Sequence, residues 1–392
     1  MGPAEASLAE SDNQQAPFLP GPALPPPVLL ALRVSQKLTI SNLPAPLRLR
    51  ASLPLWELIK SDPWVLEVIK SGYQPTFNRP PPLTSQPQWF VVTPSKAAAL
   101  RAEIDSLLSK QVIEPVSNQS SPGFYSRIFL VPKKTGKLRP VIDLSPLNRY
   151  LVIPKFRMLT SRILARTLPQ GHWAASLDLK DAYFHIPIRR AAQKYLRFAY
   201  QGTVYQFLAL PFGISTAPYV FTRVASQLAR FLQPLGIPLP QYIDDWLTHA
   251  QSSTRTGQFM QVILQLTKAL GWLVNLEKSD LIPTQHFTFI GVVYDLQYQL
   301  MFPRLDRYLE IQKIIRHVLL VHTVSLREWQ SLLGHLQSLA DQVPLGRLHT
   351  RPLHQVLASR VSPVNPPDTI VPFSTKFIPH LEWWLVQSRV MA

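Results

Sequence analysis

The chain has 392 residues, with 40 Lys+Arg against 23 Asp+Glu, a formal charge of +17, 39 Pro and no Cys. The lack of cysteine excludes a disulfide scaffold, a Cys-ligated zinc site and a thiol nucleophile, and no apolar run approaches the roughly 18 residues of a membrane span. An intracellular chain without a leader is expected, cytoplasm and nucleus undistinguished, and a pI near 10.1 points to a polyanionic partner, nucleic acid before a plain solvated surface.

Residues 1–90 hold 16 of the prolines, including Pro25-Pro26-Pro27 and Pro80-Pro81-Pro82, and are nearly neutral with 7 basic and 6 acidic residues. That composition favours extended polyproline, so 1–50 is expected to be largely disordered. An N-terminal extension follows over 51–90, with one short helix around Leu55–Lys70 anchored by Trp56, Trp64 and Ile69. Ser95–Lys110 reads as a helix, because Leu100, Ile104, Leu107 and Leu108 form one stripe. Ser126–Val131 and Leu138–Leu144 read as a hairpin whose tip, Lys133 to Lys137, is basic. Trp173–Leu179 is a buried-strand candidate, and Tyr195–Tyr200 with Thr203–Phe207 a second hairpin about Gln201-Gly202. A helix over Thr216–Leu232 presents Val220, Phe221, Val224, Leu228 and Phe231 on one face. Tyr242–Leu247 is apolar except for two adjacent aspartates. Gln258–Leu270 reads as a helix and Thr288–Tyr294 as a strand. Beyond 300 only helices are expected, Leu305–Leu320 and Ser325–Ala340, the second opened by a Ser325/Glu328 capping box. An α+β body with a helical appendage follows from that order.

Charge is uneven: residues 91–300 hold 23 basic and 11 acidic residues. Four of those scarce acids fall in two patches, Asp178 and Asp181 in Ser176–Phe184, and Asp244 with Asp245 after Tyr242-Ile243. Adjacent carboxylates in apolar surroundings raise each other's pKa, and burial adds to the cost. A divalent cation relieves it, and hard oxygen ligands without Cys or nearby His favour Mg²⁺ over zinc. Three carboxylates from two strands can hold two metals, a clamp suited to activating a hydroxyl and stabilising a leaving phosphate oxygen. The plainer alternative for Asp244-Asp245 is an exposed hairpin tip, which Asp favours.

The neighbours of these patches occur in a telling order. Phe129 to Lys134, Leu138 to Leu144 and Leu147-Asn148 resemble the fingers motifs of reverse transcriptases. Ser176–Phe184 and Tyr242–Asp245 resemble the two palm carboxylate motifs, and Leu210 to Pro218 the template-and-nucleotide loop and helix. Gly271-Trp272 through Lys278, then Phe289-Ile290-Gly291, resemble the motifs that close the palm. The flavour is that of the DIRS-like (tyrosine-recombinase) retrotransposon branch, in Ser71-Gly72-Tyr73, Gly123 to Ser126, Leu177–Ile186, Asp244 to Leu247 and Leu326–Leu336.

The resemblance implies a right-hand polymerase, with fingers and palm over 91–300, a helical thumb over 301–360, and 361–392 as a linker or the start of a truncated RNase H-like domain. It implies an RNA-directed DNA polymerase that takes an RNA or DNA template, a nucleic-acid primer and deoxynucleotides, and no membrane. Asp178, Asp244 and Asp245 would be catalytic and, with the Leu179 carbonyl, would ligate two Mg²⁺, for which Mn²⁺ could substitute. Lys133 or Lys134 and Arg139 would grip the outer phosphates; Asp181 and Ala182 would meet the triphosphate through backbone amides. Tyr183 would bar a 2′-hydroxyl, and Phe212 and Gly213 would pack under base and template. Lys278 would donate a proton to pyrophosphate, or else be a surface lysine in a loop. Phe289, Ile290 and Gly291 would form the primer grip, Gly291 allowing close backbone approach. Arg304, Arg307, Lys313 and Arg316 would face the duplex, or plain solvent. The ten His form no metal-spaced cluster and read as structural or surface residues. Rival readings are a decayed or co-opted nucleic-acid binder, a nuclease, and a fragment of a polyprotein that also carries ribonuclease H; no RNase H or recombinase activity is expected of these residues.

Overall fold

The computed structural model describes residues 25–36, 40, 42–89, 93–132, 138–321, 323–340, 342–362 and 365–391. Helices come first: α1 (Pro26–Ser35), α2 (Ala45–Ala51), α3 (Leu53–Leu58), α4 (Pro63–Ser71) and α5 (Pro94–Ser109). Each carries a proline at its first or second position, where the missing N–H is one the helix could not use. The prolines that suggested extended chain therefore start helices. This corrects the expectation of disorder over 1–50 for its described part: Val28, Ala31, Ala45 and Leu49 are buried in the main core. Residues 1–24 lie outside the described residues. The single helix expected around Leu55–Lys70 is two, parted at Asp62, whose carboxylate caps α4 through Trp64 N.

The mixed body follows, with β1 (Ile113–Pro115), β2 (Arg127–Pro132), β3 (Leu138–Asp143), α6 (Ser145–Asn148), α7 (Ser161–Thr167) and β4 (Trp173–Asp178). Next come α8 (Arg190–Gln193), β5 (Arg197–Tyr200), β6 (Thr203–Phe207), α9 (Ala217–Leu232), β7 (Gln241–Tyr242), β8 (Asp245–Ala250) and α10 (Ser253–Ala269). The sheets are antiparallel: β2 pairs β3, β1-β6-β5 form a second, and β4-β8-β7 a third. The last has one face on α9 and α10, so Leu177, Trp246, Phe221, Val224, Ile263 and Trp272 share one large core with the N-terminal helices. Then β9 (His286–Phe289), β10 (Val292–Asp295) and β11 (Leu300–Pro303) form a meander. The expected single strand over Thr288–Tyr294 is thus a hairpin, broken at Ile290-Gly291 where φ is +43° and +76°. Two consecutive left-handed residues make the tight turn that matches strand twist.

The C-terminal unit comprises α11 (Leu305–Val321), β12 (Thr323–Ser325), α12 (Leu326–Leu339), α13 (Gly346–Arg360), β13 (Ile370–Pro372), α14 (Ile378–Leu385) and α15 (Gln387–Val390). The capping box is formed, Ser325 and Glu328 bonding reciprocally at the start of α12. Two expectations are corrected. Helices are not alone past 300, since β12 pairs β13. Nor is 361–392 a linker, because Phe377, Leu381 and Trp384 are buried against Trp329, Leu332 and Leu336 in one core.

Candidate active site

The sheet β4-β8-β7 brings the carboxylates together. Asp178 ends β4 directly opposite Asp245, which opens β8, and Asp245 in turn faces Tyr242 across the β7–β8 hairpin. Ile243 and Asp244 are the turn. The aspartate pair therefore is at a hairpin tip, as the plainer alternative held, but a half-buried one. Ile243 sits at φ +50°, a left-handed conformation that a β-branched residue adopts only under strain. Its carbonyl is held by the indole Nε1 of fully buried Trp246 at 2.9 Å. Across the sheet end, Leu179 N donates to the Asp244 carbonyl at 2.9 Å, which staples the two carboxylate motifs together.

A second segment backs Asp178. Its amide donates to Ser279 Oγ (3.0 Å), and its carbonyl accepts from Asn275 N (2.9 Å). The Asn275 side chain hydrogen-bonds the carboxylate. Burial raises the Asp178 carboxyl above its usual range; Lys278 opposes the rise and Asp244 adds to it. Asp245 is pushed up to about 6, first by burial and then by Asp244 and Asp178, with Lys278 again opposing. Lys278 is exposed on a one-turn 3₁₀ helix, Leu276–Lys278, yet its charge reaches both carboxylates.

Asp181 adopts φ +54° and opens the 3₁₀ turn Ala182–His185, while its carboxylate pairs at 3.0 Å with the Nζ of Lys110, the residue that caps the C-terminal end of α5. Ala182 and Tyr183 are buried. The Tyr183 phenol is pushed up to about 12 by burial, then by Asp244 and Tyr242, so the ring lies beside the carboxylates. Phe212 is 56% exposed and covers Tyr183 and Phe184 at centroid distances of 5.0 and 5.4 Å. The Asn148 side chain clamps the loop after it, donating to the Gly213 carbonyl and accepting from Ser215 N, both at 2.9 Å.

Lys133 and Lys134 lie outside the described residues. Arg139 is on β3 opposite Val131, and its side chain is likewise outside the description. Phe289 packs with Leu247, and Tyr242 lies against the same cluster, so the β9–β10 hairpin rests on the palm sheet. At Gly291 the left-handed φ is what calls for glycine: a Cβ there would meet nothing closer than Arg307 Nη1 at 3.9 Å. Of the basic residues expected to face a duplex, Arg304 pairs with Asp306 and Arg307 donates to Ser338 Oγ.

The sequence reading missed Asn275, Ser279 and Lys110 as supports. Asn148 stood in a recognised motif without a role. Their partners are 65 to 101 residues away in the chain, so no local pattern marks them. Among the described residues, no three His, Cys, Asp or Glu side chains are gathered closely enough to hold a metal ion. The donor set nonetheless suits a hard divalent cation, since Asp244 adds to the rise of Asp178, both add to that of Asp245, and a cation would relieve them.

Residues 131–294 match the family model described as reverse transcriptase (RNA-dependent DNA polymerase). That stretch is similar to a reverse transcriptase domain. The domain takes in both carboxylate motifs, the Leu210–Pro218 loop and the β9–β10 hairpin. Over 278 residues, 69% of this chain, it is 27% identical to the Transposon Tf2-3 polyprotein and 26% identical to the Transposon Tf2-7 polyprotein of Schizosaccharomyces pombe. The chain spans 19% of the length of those polyproteins. Among solved structures it resembles the foamy viral protease-reverse transcriptase dRH in complex with ds DNA, with TM-score 0.64 and 19% identity over 94% of this chain and 62% of that one. The foamy viral enzyme in complex with RNA/DNA hybrid gives TM-score 0.61 and 18% identity over 95% and 47%. That likeness is one of fold, and the α+β right-hand arrangement of fingers, palm and helical thumb holds.

Proposed function

We propose that this chain is the RNA-directed DNA polymerase of a retroelement, adding deoxynucleotides to a primer 3′-hydroxyl with release of pyrophosphate. The observation that carries the reading is the placement of Asp178 and Asp245 at paired strand ends, with Asp244 in the adjoining turn, within residues similar to a reverse transcriptase domain. Asp178, Asp244, Asp245 and the Leu179 carbonyl would hold two Mg²⁺, or Mn²⁺, which when bound supply charge neutralisation at the attacking and leaving oxygens. Tyr183 would close the sugar pocket under Phe212, and the Asp181-Ala182 backbone would meet the triphosphate gripped by Lys133, Lys134 and Arg139. Lys278, already within electrostatic reach of Asp178 and Asp245, would pass a proton to departing pyrophosphate. Phe289-Ile290-Gly291 would support the primer.

The foamy viral neighbours in complex with ds DNA and with RNA/DNA hybrid support a template–primer duplex as the partner here. No helix among the described residues is long and apolar enough to cross a membrane. The DIRS-like branch is proposed on the motifs at Leu177–Ile186, Asp244 to Leu247 and Leu326–Leu336.

Primer extension on an RNA template with Mg²⁺ tests the reading. Wild type incorporates deoxynucleotides, and Asp244→Asn reduces incorporation by at least about a thousandfold. Equal, negligible incorporation by both would leave the decayed nucleic-acid binder instead.

A further inference from the structure

His185 has no part in the chemistry above, yet it is wholly buried, with 0% exposure, at the end of the turn that carries Tyr183. Its two ring nitrogens face different segments. Nε2 lies 2.9 Å from the Leu273 amide, and Nδ1 3.2 Å from the Ala182 carbonyl. An amide N–H can only donate and a carbonyl can only accept. The ring is therefore assigned as the neutral tautomer with its proton on Nδ1.

The two segments it joins flank Asp178. On one side, Ala182 and Tyr183 shape the nucleotide end of the site. On the other, the Leu273 carbonyl accepts from Lys180 N (2.8 Å), Val274 bridges Leu179, and Asn275 backs Asp178. The seat of the ring is built by the N-terminal extension. Arg48 Nε donates to the Gly271 carbonyl and Trp56 Nε1 to the Leu270 carbonyl, each at 3.0 Å. Gly271, at φ +96°, lets α2 come so near that a Cβ would stand 2.6 Å from the Arg48 carbonyl oxygen. Trp272 then packs edge-on or tilted against Trp56, Phe221, Trp246 and His185, with centroids 5.1 to 6.1 Å apart. Burial, with the Arg48 charge nearby, lowers the His185 pKa to about 4, so the bond to Leu273 persists throughout the neutral range.

We propose that His185, held as the Nδ1–H tautomer between Ala182 and Leu273, is a positioning residue for nucleotidyl transfer that sets the Tyr183 turn against the segment backing Asp178. This rests on the polymerase reading. Loss of the Nε2 acceptor would leave the Leu273 amide unpartnered and let the two segments shift, which lowers turnover and loosens the sugar pocket.

The test compares wild type, His185→Leu and His185→Gln, whose amide oxygen can stand in for Nε2. Each is measured for kcat, KM for deoxynucleotide and discrimination against ribonucleotides, normalised to active sites by burst titration. His185→Leu is expected to lose roughly tenfold in kcat per active site, the scale of one buried hydrogen bond, and to discriminate less well. His185→Gln is expected to recover to within about threefold. A merely structural role would reduce the active fraction and leave the per-site constants alone, and that result overturns the proposal. If His185→Leu does not fold, ¹⁵N NMR of the imidazole in wild type decides: an Nε2–H tautomer, or protonation above pH 5, overturns it. Wild type without any incorporation sinks the polymerase reading and this inference with it, whereas an active wild type with an unchanged His185→Leu sinks the inference alone.

Discussion

Burial, Asp244 and Asp178 raise the Asp245 carboxyl from 3.8 to about 6, so at neutral pH the folded protein ionises this group against a penalty. Between those two values the native state binds more protons than the unfolded chain. Its contribution to stability therefore falls as pH rises through that window, and the penalty is complete above it. Asp245→Asn removes the charge at nearly constant shape. At pH 8 without divalent cations it is expected to raise stability by about 1–2 kcal/mol, allowing for solvent screening of a half-buried group. The gain should vanish below pH 4, and incorporation should be lost. Thermal unfolding checks it, with Mg²⁺ expected to raise the Tm of wild type and not that of the variant. A variant that melts at or below wild type at pH 8 contradicts the assignment of strain to this carboxyl. The three aspartates were legible because their flanking residues repeat a recognisable order. Asn275 and Ser279, which orient Asp178, were not, since an Asn or Ser in a loop is marked only by what it meets across 100 residues of chain.

Two hairpin turns at the site rest on an isoleucine in left-handed backbone, Ile243 in β7–β8 and Ile290 in β9–β10. Neither carries the Asn-Gly or Asp-Gly signal of such turns in full, which is why Thr288–Tyr294 read as one strand and a hairpin tip at Asp244-Asp245 stood only as an alternative. Surrounding contacts hold the strained turns. For β7–β8 the contact is the Trp246 indole on the Ile243 carbonyl. Trp246→Phe keeps most of the apolar volume and removes that bond. It is expected to cost about 1–2 kcal/mol in denaturant unfolding and to slow primer extension roughly tenfold. Full activity with unchanged stability would show that the indole does not hold the hairpin. Regular elements fared better. The apolar stripe of α9, the β5–β6 hairpin about Gln201-Gly202, and the capping box of α12 are local signals, and all appear where the pattern put them.

Across the whole molecule, buried imidazoles set the response to acid. His185 and His249 are lowered to about 4, His185 chiefly by burial and His249 by burial and then by His172, whose Nδ1 lies 3.0 Å away. From about 6.5 down to about 4 the unfolded chain takes up protons that these residues refuse, so stability is lost as pH falls. Asp245 and Asp178, both raised by burial, act with the opposite sign over the lower part of that range, against His185, His249 and the likewise lowered His172. The Tm is expected to drop between pH 7 and pH 5, and calorimetry at intermediate values checks this. A flat or rising profile toward pH 5 would mean that these rings are accessible to protons in the folded protein.

Composition and ordered motifs by themselves determined where the candidate site lies and its α+β setting: scarce acids in a basic middle segment, flanked by residues that resemble a reverse transcriptase domain. Such information is local, carried by periodicity and by short runs whose spacing the backbone preserves. The tertiary structure alone decided that proline-rich residues 26–71 form helices that brace the Leu270–Leu273 turn, that 365–391 completes the thumb core, and that the aspartate pair is a half-buried hairpin tip. Each depends on which surfaces meet across 50 to more than 200 residues. A proline at a helix start and a proline in extended chain look the same until packing chooses between them.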